Sequence, residues 1–497
     1  MLSRVPSRKP LSNDAALEKA KVAGVLTLRA IHDFEVALLD CCLGMTERGI
    51  RVDEARRVRM RDELVAARDP MMRELEATTV RDVLAPLGSV PKLLERVRVC
   101  RGCRNGKNKR VSCAACGGAG KSRTLVFNAA SPAQVKLVLF DLLRLPKRTK
   151  QGKLSTDEES LKSLLAECER KPAAAALIRG VLRVAKLSTM TEIVERIAPG
   201  EDGRIRSVYN PAGTETGRFS SAETFLVRST NLQNLPKREA TEAQFDVKAC
   251  FVPDAGHVFI EADLSGAEAW VTAALAGDTD LLARLRGGID VHRWTASNIF
   301  AKPIAAVTPT ERQLGKVARH ALNYGMQWAT FQRNVNIDAD RTGVAISAKQ
   351  AKHICEQYHA LHPLLSRWWD DVLGRLVRDK RRLRTCFGRV RTFYGRSLER
   401  LGDTHREAIA FEPQSTVADA LNRGMLRWWR DHDGRLGQLL AQVHDSVLIQ
   451  VRAERAATVV PILRACLTEE IAVGGTRITI PVDIHVSDSW AARKEAA

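Results

Sequence analysis

Two aspartates are placed to do chemistry together. Asp263, in HVFIEADLSGAE, and Asp445, in LLAQVHDSVLIQV, each close an apolar run of β-like residues. A carboxylate at the end of a buried strand is costly unless a cation meets it, and two such ends brought together form a cradle for hard cations such as Mg2+. Singly, each has a plainer reading: Asp445 starts a turn between two strands, and Asp263 is a polar residue leaving one. Between them lies TPTERQLGKVARHALNYG. Stepped at about 100° per residue, Arg312, Lys316, Arg319, His320 and Asn323 fall on one side of a helix, with Leu314, Val317, Ala318 and Ala321 on the other. Such a face would hold a polyphosphate, although a solvated basic face is the ordinary alternative. Acid pair, divalent metal and phosphate clamp together point to phosphoryl transfer.

A second constellation is CRGCRNGKNKRVSCAAC, with Cys100, Cys103, Cys113 and Cys116 in two close pairs and a glycine-rich exit. Two thiolate pairs at this separation supply four soft ligands for tetrahedral Zn2+, and four protein ligands make a closed, structural site. The intervening Arg104, Lys107, Lys109 and Arg110 either touch nucleic-acid phosphate or form a solvated knuckle. Asp33 and Glu35 form a DxE pair of the kind metal-dependent exonucleases use, but the helical pattern around them favours a solvated helix face.

The 497 residues allow about three domains or one multi-lobed enzyme. No apolar run approaches the roughly 18 residues of a membrane span. The net charge of +20 favours a polyanionic partner, nucleic acid first, over a generally basic proteome as the explanation. Positive residues are bunched at 147–153, 378–391 and 312–319. Eleven cysteines, most of them single among apolar residues, fit reduced thiols and an intracellular, cytoplasmic setting, which is the host cytoplasm if the gene is a phage's. The opening MLSRVPSRKPLSN reads as a disordered arm rather than a targeting segment.

The elements that must position these residues can be read in outline. A helical pattern runs from Leu26 to about Arg68, punctuated at Gly49 and Val52-Asp53, and another runs from Ser131 to Lys186 between basic loops. YNPAGTETGRFSS and STNLQNLPKR are loop-like, either a sugar-phosphate track or a plain linker. Ser265 to Glu268 fits a capping box, and Thr308-Pro309-Thr310-Glu311 fits one more clearly, so a helix should begin near 309. Residues 353–440 read as helix-rich, with Trp368-Trp369 and Trp428-Trp429 as core or domain-seam residues rather than stacking platforms, and the last strands run through 478–486.

With these residues in view, the chain resembles family A DNA polymerases related to bacterial DNA polymerase I. DLSGAE at 263–268 resembles the first palm motif, QVHDS at 442–446 the second, and Arg312, Lys316, Tyr324 and Gly325 the fingers-helix motif. Weaker blocks follow in order: TERGIRVD (46–53), FNAASP (127–132), KLST (186–189), TGRFSS (216–221), NLQNLP (231–236), DVHRWTAS (290–297), CFGR (386–389) and PQSTVAD (413–419). The resemblance implies an α+β right-hand polymerase with a helical thumb, an antiparallel-sheet palm, helical fingers and a small zinc-binding insertion. The implied domains are a basic arm over 1–25, a thumb and N-terminal region over 26–225 with the insertion at about 90–125, a first palm part over 226–290, fingers over 291–404 and a second palm part over 405–497.

By the same resemblance, Asp263, Asp445 and the Leu264 carbonyl would hold two Mg2+ ions, roughly 3.5 to 4 Å apart. Arg312, Lys316 and His292 would neutralise the incoming phosphates, with Lys316 also protonating pyrophosphate. Glu268 would exclude a ribose 2′-hydroxyl, His320 would lie by the nucleotide sugar and Tyr324 by the template base. Arg218, Asn231, Gln233, Asn234, Gln414, Gln442 and His444 would hold primer and template without reading sequence. His320 stands where the family usually has Phe or Tyr, Gly266 and Trp270 replace Gln and Arg, and Ser446 replaces Glu. The implied protein is a monomeric DNA polymerase binding primer-template DNA and dNTPs, with other replication proteins as further partners. No room is expected before the thumb for a proofreading domain. The alternatives are a single-subunit RNA polymerase-like enzyme and a non-catalytic DNA-binding replication scaffold.

Overall fold

The computed structural model describes residues 28–100, 121–150, 152–168, 171–223, 229–236, 245–337, 339–342, 344–395 and 397–491. The chain forms two compact units, one of Ala55–Arg196 and one of the residues up to Glu54 together with those from Ile197 onward. The block expected over 26–225 is therefore divided between them.

The unit Ala55–Arg196 is built on two long helices, Glu54–Thr79 and Pro172–Arg196. Leu177, Ile178, Val181 and Val184 recur at helical spacing and are buried with Leu75, Leu84, Phe127 and Leu164 in one core. From this core rises a two-stranded ribbon, Glu95–Val99 paired antiparallel with Lys121–Leu125.

The other unit is organised by a four-stranded antiparallel sheet. Its elements, in chain order, are β1 (His257–Leu264), α1 (Ala267–Ala276), α2 (Val291–Ile299), α3 (Pro309–Leu322), α4 (Asp403–Asp431), β2 (Gln438–Val443), β3 (Ser446–Arg452) and β4 (Val482–Ser487). The strand order is β2-β3-β1-β4. β3 is apolar along most of its length and its first six residues are buried, as a central strand covered on both faces requires. Helix Ala456–Leu467 packs on β1, β3 and β4, and helix Leu28–Arg48 packs on β2.

A separate core lies under α3. Leu314, Ala318 and Leu322 meet Phe331, Tyr358, Trp368, Trp369 and Phe411. Trp428 is buried as well, so Trp368, Trp369 and Trp428 lie in the core, while Trp429 is partly exposed under the Arg48 guanidinium. The helix-rich stretch 353–440 is interrupted by a hairpin, Arg382–Arg384 with Val390–Thr392.

Candidate active site

The sheet ladder brings the two aspartates to one place. Asp263, next to last in β1, pairs with Ser446, the first residue of β3, and the Leu264 amide donates to the Asp445 carbonyl at 3.0 Å. Asp445 lies in the two-residue turn joining β2 to β3, where His444 takes a left-handed backbone, φ 53°. On the other side of β1, Asp263 pairs with Asp483. Like charges directly opposite across a ladder repel, so this edge concentrates negative charge.

Arg218 reaches this turn from the loop at 214–218. One guanidinium nitrogen lies 3.9 Å from an Asp445 carboxylate oxygen and donates to Glu268 at 2.8 Å. The other Glu268 oxygen accepts from the Tyr324 hydroxyl at 2.6 Å. Burial, then the Glu268 charge, hold the Tyr324 phenol protonated far above its ordinary range. Glu268 is free for these contacts because the expected capping box at Ser265 does not form. Gly266, in left-handed conformation, is the residue before α1, and it has no side chain to cap with.

The α3 capping box does form: Thr308 and Glu311 cap each other reciprocally. The helix presents Arg312, partly exposed, and Lys316 and His320, exposed, but Arg319 and Asn323 turn inward. This corrects the expected polar face of four basic residues and Asn323. The buried stripe runs through Leu314, Gly315, Ala318, Arg319 and Leu322, one step round from the predicted one. Asn323 accepts from the Tyr358 hydroxyl, and its carbonyl accepts from Trp369 at 3.1 Å.

Gly315 lets α3 lie against α2, since a Cβ there would come 2.4 Å from the His292 carbonyl oxygen. Across this contact Arg312 donates to Asp290 at 2.6 Å, while Asp290 also caps α2 through the His292 and Arg293 amides, both at 3.0 Å. Burial opposes the Asp290 charge, but the Arg312 and amide hydrogen bonds outweigh it and hold the carboxyl below its usual range. The His292 ring is 5.8 Å from that of His320. Burial first, then the Arg319 and His320 charges, push the His292 imidazole down to about 3.

A model of DNA polymerase family A matches residues 112–492. The chain belongs to DNA polymerase family A. Among relatives of this family A chain, DNA polymerase I of Caldicellulosiruptor bescii is 28% identical over 73% of the chain and 41% of its own length. The thermostable DNA polymerase I of Thermus aquaticus is 30% identical over 74% and 42%, and DNA polymerase I of Treponema pallidum is 32% identical over 73% and 35%. The chain thus spans about two-fifths of the length of these relatives. The POL domain of Pol1 from M. smegmatis, solved in complex with DNA primer-template and dNTP, superposes with a TM-score of 0.68 at 23% identity, covering 92% of this chain and 70% of that one. The mixed helix and sheet fold is that of a family A polymerase domain.

Within this family A fold, Asn231, Gln233, Asn234, Gln442 and His444 form a third group, which Gln414 does not join by a hydrogen bond among the described residues. Gln233 donates to the Gln442 side chain at 3.2 Å, and Gln442 to the His444 carbonyl at 2.6 Å. Asn231 accepts from the Gln233 amide at 3.1 Å and is tied to Ser221. Asn234 is exposed and joins through its amide, which donates to the Asn231 carbonyl. Gln414 is half-buried on α4, directly after the helix-internal Pro413.

Three residues that carry the site were missed in the sequence of this polymerase-family chain. Asp290 has a local signal, an Asp heading a helix. Arg389 and Asp419 end the CFGR and PQSTVAD blocks, but nothing local announces that they meet: they form a bidentate pair, 2.8 and 3.2 Å, with Glu35 bound to the same guanidinium. Glu35 is therefore not on a solvated face, and Asp33 instead binds Arg29. Gly217, φ 77°, rests on Arg389; a Cβ there would lie 2.5 Å from the guanidinium carbon. Asn422 of α4 donates to its carbonyl at 3.0 Å. These contacts fix the residue next to Arg218.

Among the described residues no group of three or more His, Cys, Asp or Glu side chains is arranged to hold a metal. Cys100 is buried at the end of the ribbon, and Cys103, Cys113 and Cys116 lie outside the described residues. No described helix is long and apolar enough to cross a membrane.

Proposed function

We propose that this chain is a template-directed DNA polymerase that adds dNTPs to a primer 3′-hydroxyl. The observation that carries this reading is the meeting of Asp263 and Asp445 at adjoining strand ends, with Arg218 linking Asp445 to Glu268 and Tyr324. Two Mg2+ ions held by Asp263, Asp445 and the Leu264 carbonyl would activate the hydroxyl and screen the triphosphate. Arg312 and Lys316, one turn apart on α3, meet the phosphates, and Lys316 gives its proton to the departing pyrophosphate. His292, neutral in its half-buried place, donates a hydrogen bond to the phosphate without adding charge. Glu268, held from both sides, places a fixed carboxylate where a ribose 2′-hydroxyl would fall, while Gln233, Gln442 and His444 set the primer register.

In this reading the helical unit Ala55–Arg196 is the thumb, the sheet the palm, and the helices around α3 the fingers. So read, the chain does not proofread; in support, the DxE pair Asp33 and Glu35 is engaged by Arg29 and Arg389. A zinc site formed by Cys100, Cys103, Cys113 and Cys116 is also proposed. Its support is the cysteine spacing together with the ribbon ladder, which pairs Val99 with Lys121 on either side of residues 100–120. Metal analysis should find one zinc per chain, lost in Cys100→Ser with Cys103→Ser; no zinc in the wild type would end that part.

The deciding experiment is magnesium-dependent extension of a primer-template with dNTPs and, separately, rNTPs. Extension with dNTPs that falls to background in Asp445→Asn is expected. Efficient use of rNTPs would favour an RNA polymerase, and no extension with either would leave a DNA-binding scaffold.

A further inference from the structure

We propose that the ribbon Glu95–Val99 with Lys121–Leu125 is a contact for the phosphodiester backbone of duplex DNA, additional to the polymerase site and resting on the reading that the chain binds primer-template. The ribbon is rooted and then stands clear. Leu94 and Phe127 are buried at its base, and Gln134 clamps the base by donating to the Leu93 carbonyl at 3.0 Å. Beyond Glu95, every residue of the first strand is exposed, Val97 at 51% and Val99 at 53%.

A two-stranded ribbon with solvent on both faces is marginal unless something covers it, and its dimensions fit a DNA groove. The charges say what covers it. The register Val97↔Arg123 and Val99↔Lys121 puts Arg123 and Lys121 on one face; alternation puts Arg96 and Arg98 on the other, about 7 Å apart. All four are exposed, and Glu95 at the root is the ribbon's one acid, 3.7 Å from Arg123. From Arg96 to Arg123 the sequence contains no Asp or Glu. A protein partner for exposed valines would be expected to meet acid as well as base, whereas cations on both faces of a narrow ribbon match a polyanion that flanks it on both sides, as the two phosphate chains of a groove do.

The test uses the full chain with Arg96, Arg98, Lys121 and Arg123 all changed to Ala, and a second variant with the three arginines changed to Lys. Binding to a fluorescent duplex primer-template is followed by anisotropy from about 50 to 200 mM salt. The alanine variant is expected to bind at least about tenfold more weakly and to lose about 0.9 from the salt slope per phosphate contact removed, while the lysine variant stays near wild type. The thermal midpoint and the extension rate at saturating DNA should not move, since none of these side chains is buried or part of the polymerase site. An unchanged affinity and slope in the alanine variant overturns the inference, as does an equal loss on single-stranded DNA, which would mean a general basic surface. If the wild type fails to extend primers yet the alanine variant loses duplex affinity, the ribbon contact stands and the polymerase reading falls.

Discussion

Arg389 and Arg218 each hold two carboxylates, yet they are built for opposite purposes. Arg389 is 6% exposed, fixed by a bidentate pair with Asp419, itself fully buried, and by Glu35. Burial opposes the Arg389 charge, but these partners outweigh it and raise its pKa. Arg218 keeps 34% of its side chain exposed, reaches Asp445 only at 3.9 Å, and has one buried nitrogen, Nε, with no partner. Each of the first arginine's three guanidinium nitrogens already meets a carboxylate. The second can exchange a carboxylate for a substrate group, and Gly217 joins the two, so an adaptable residue is seated on a saturated one.

The contrast predicts activity loss without stability loss at one pole, and the reverse at the other. Asp445→Asn should lower the single-nucleotide extension rate about a thousandfold or more while the thermal midpoint stays within a few degrees. If the midpoint collapses instead, Asp445 is structural and the contrast fails. Arg389→Met should cost about 3 to 5 kcal/mol in urea unfolding by stranding Asp419, and Asp419→Leu added to it should recover most of that. A single substitution that proves neutral would mean the pair carries no such role.

Proton linkage at His292 sharpens the same division, because its half-buried imidazole lies near the Arg319, His320 and Lys316 charges as well as the Asp290 carboxylate. With a folded pKa of about 3 against an ordinary 6.5, the folded state stays neutral while the unfolded state takes up a proton as pH falls below about 6.5. Stability should therefore decline from there toward about 3, by at most about 1.4 kcal/mol per pH unit, and His292→Gln should flatten that slope. Equal slopes in both proteins would remove His292 from the account. The smallest effect is expected at Tyr324→Phe, which deletes one donor to Glu268 and should reduce discrimination against ribonucleotides about fivefold, read from the ratio of dNTP to rNTP extension.

What the sequence made legible was local. The strand ends at Asp263 and Asp445, the Thr308 capping box and the exposed Arg312, Lys316 and His320 follow from patterns a few residues long. The α3 face was misjudged at Arg319 because periodicity counts a charged residue as solvent-facing, and nothing nearby announces that Tyr358 and Trp369 enclose that side. The Ser265 cap is absent because the N-cap falls one residue later, on Gly266 in left-handed conformation, and Glu268 binds the distant Arg218 and Tyr324 instead. Arg389 with Asp419 and Glu35 was illegible because its members come from segments brought together only by folding.

The close seat of Gly315 on the His292 carbonyl has a mechanical consequence. With no side chain between them and Arg312 bound to Asp290, α2 and α3 lie in direct backbone contact, which favours their moving as one body. Whatever motion carries Lys316 toward a ligand should carry His292 with it in the same stroke.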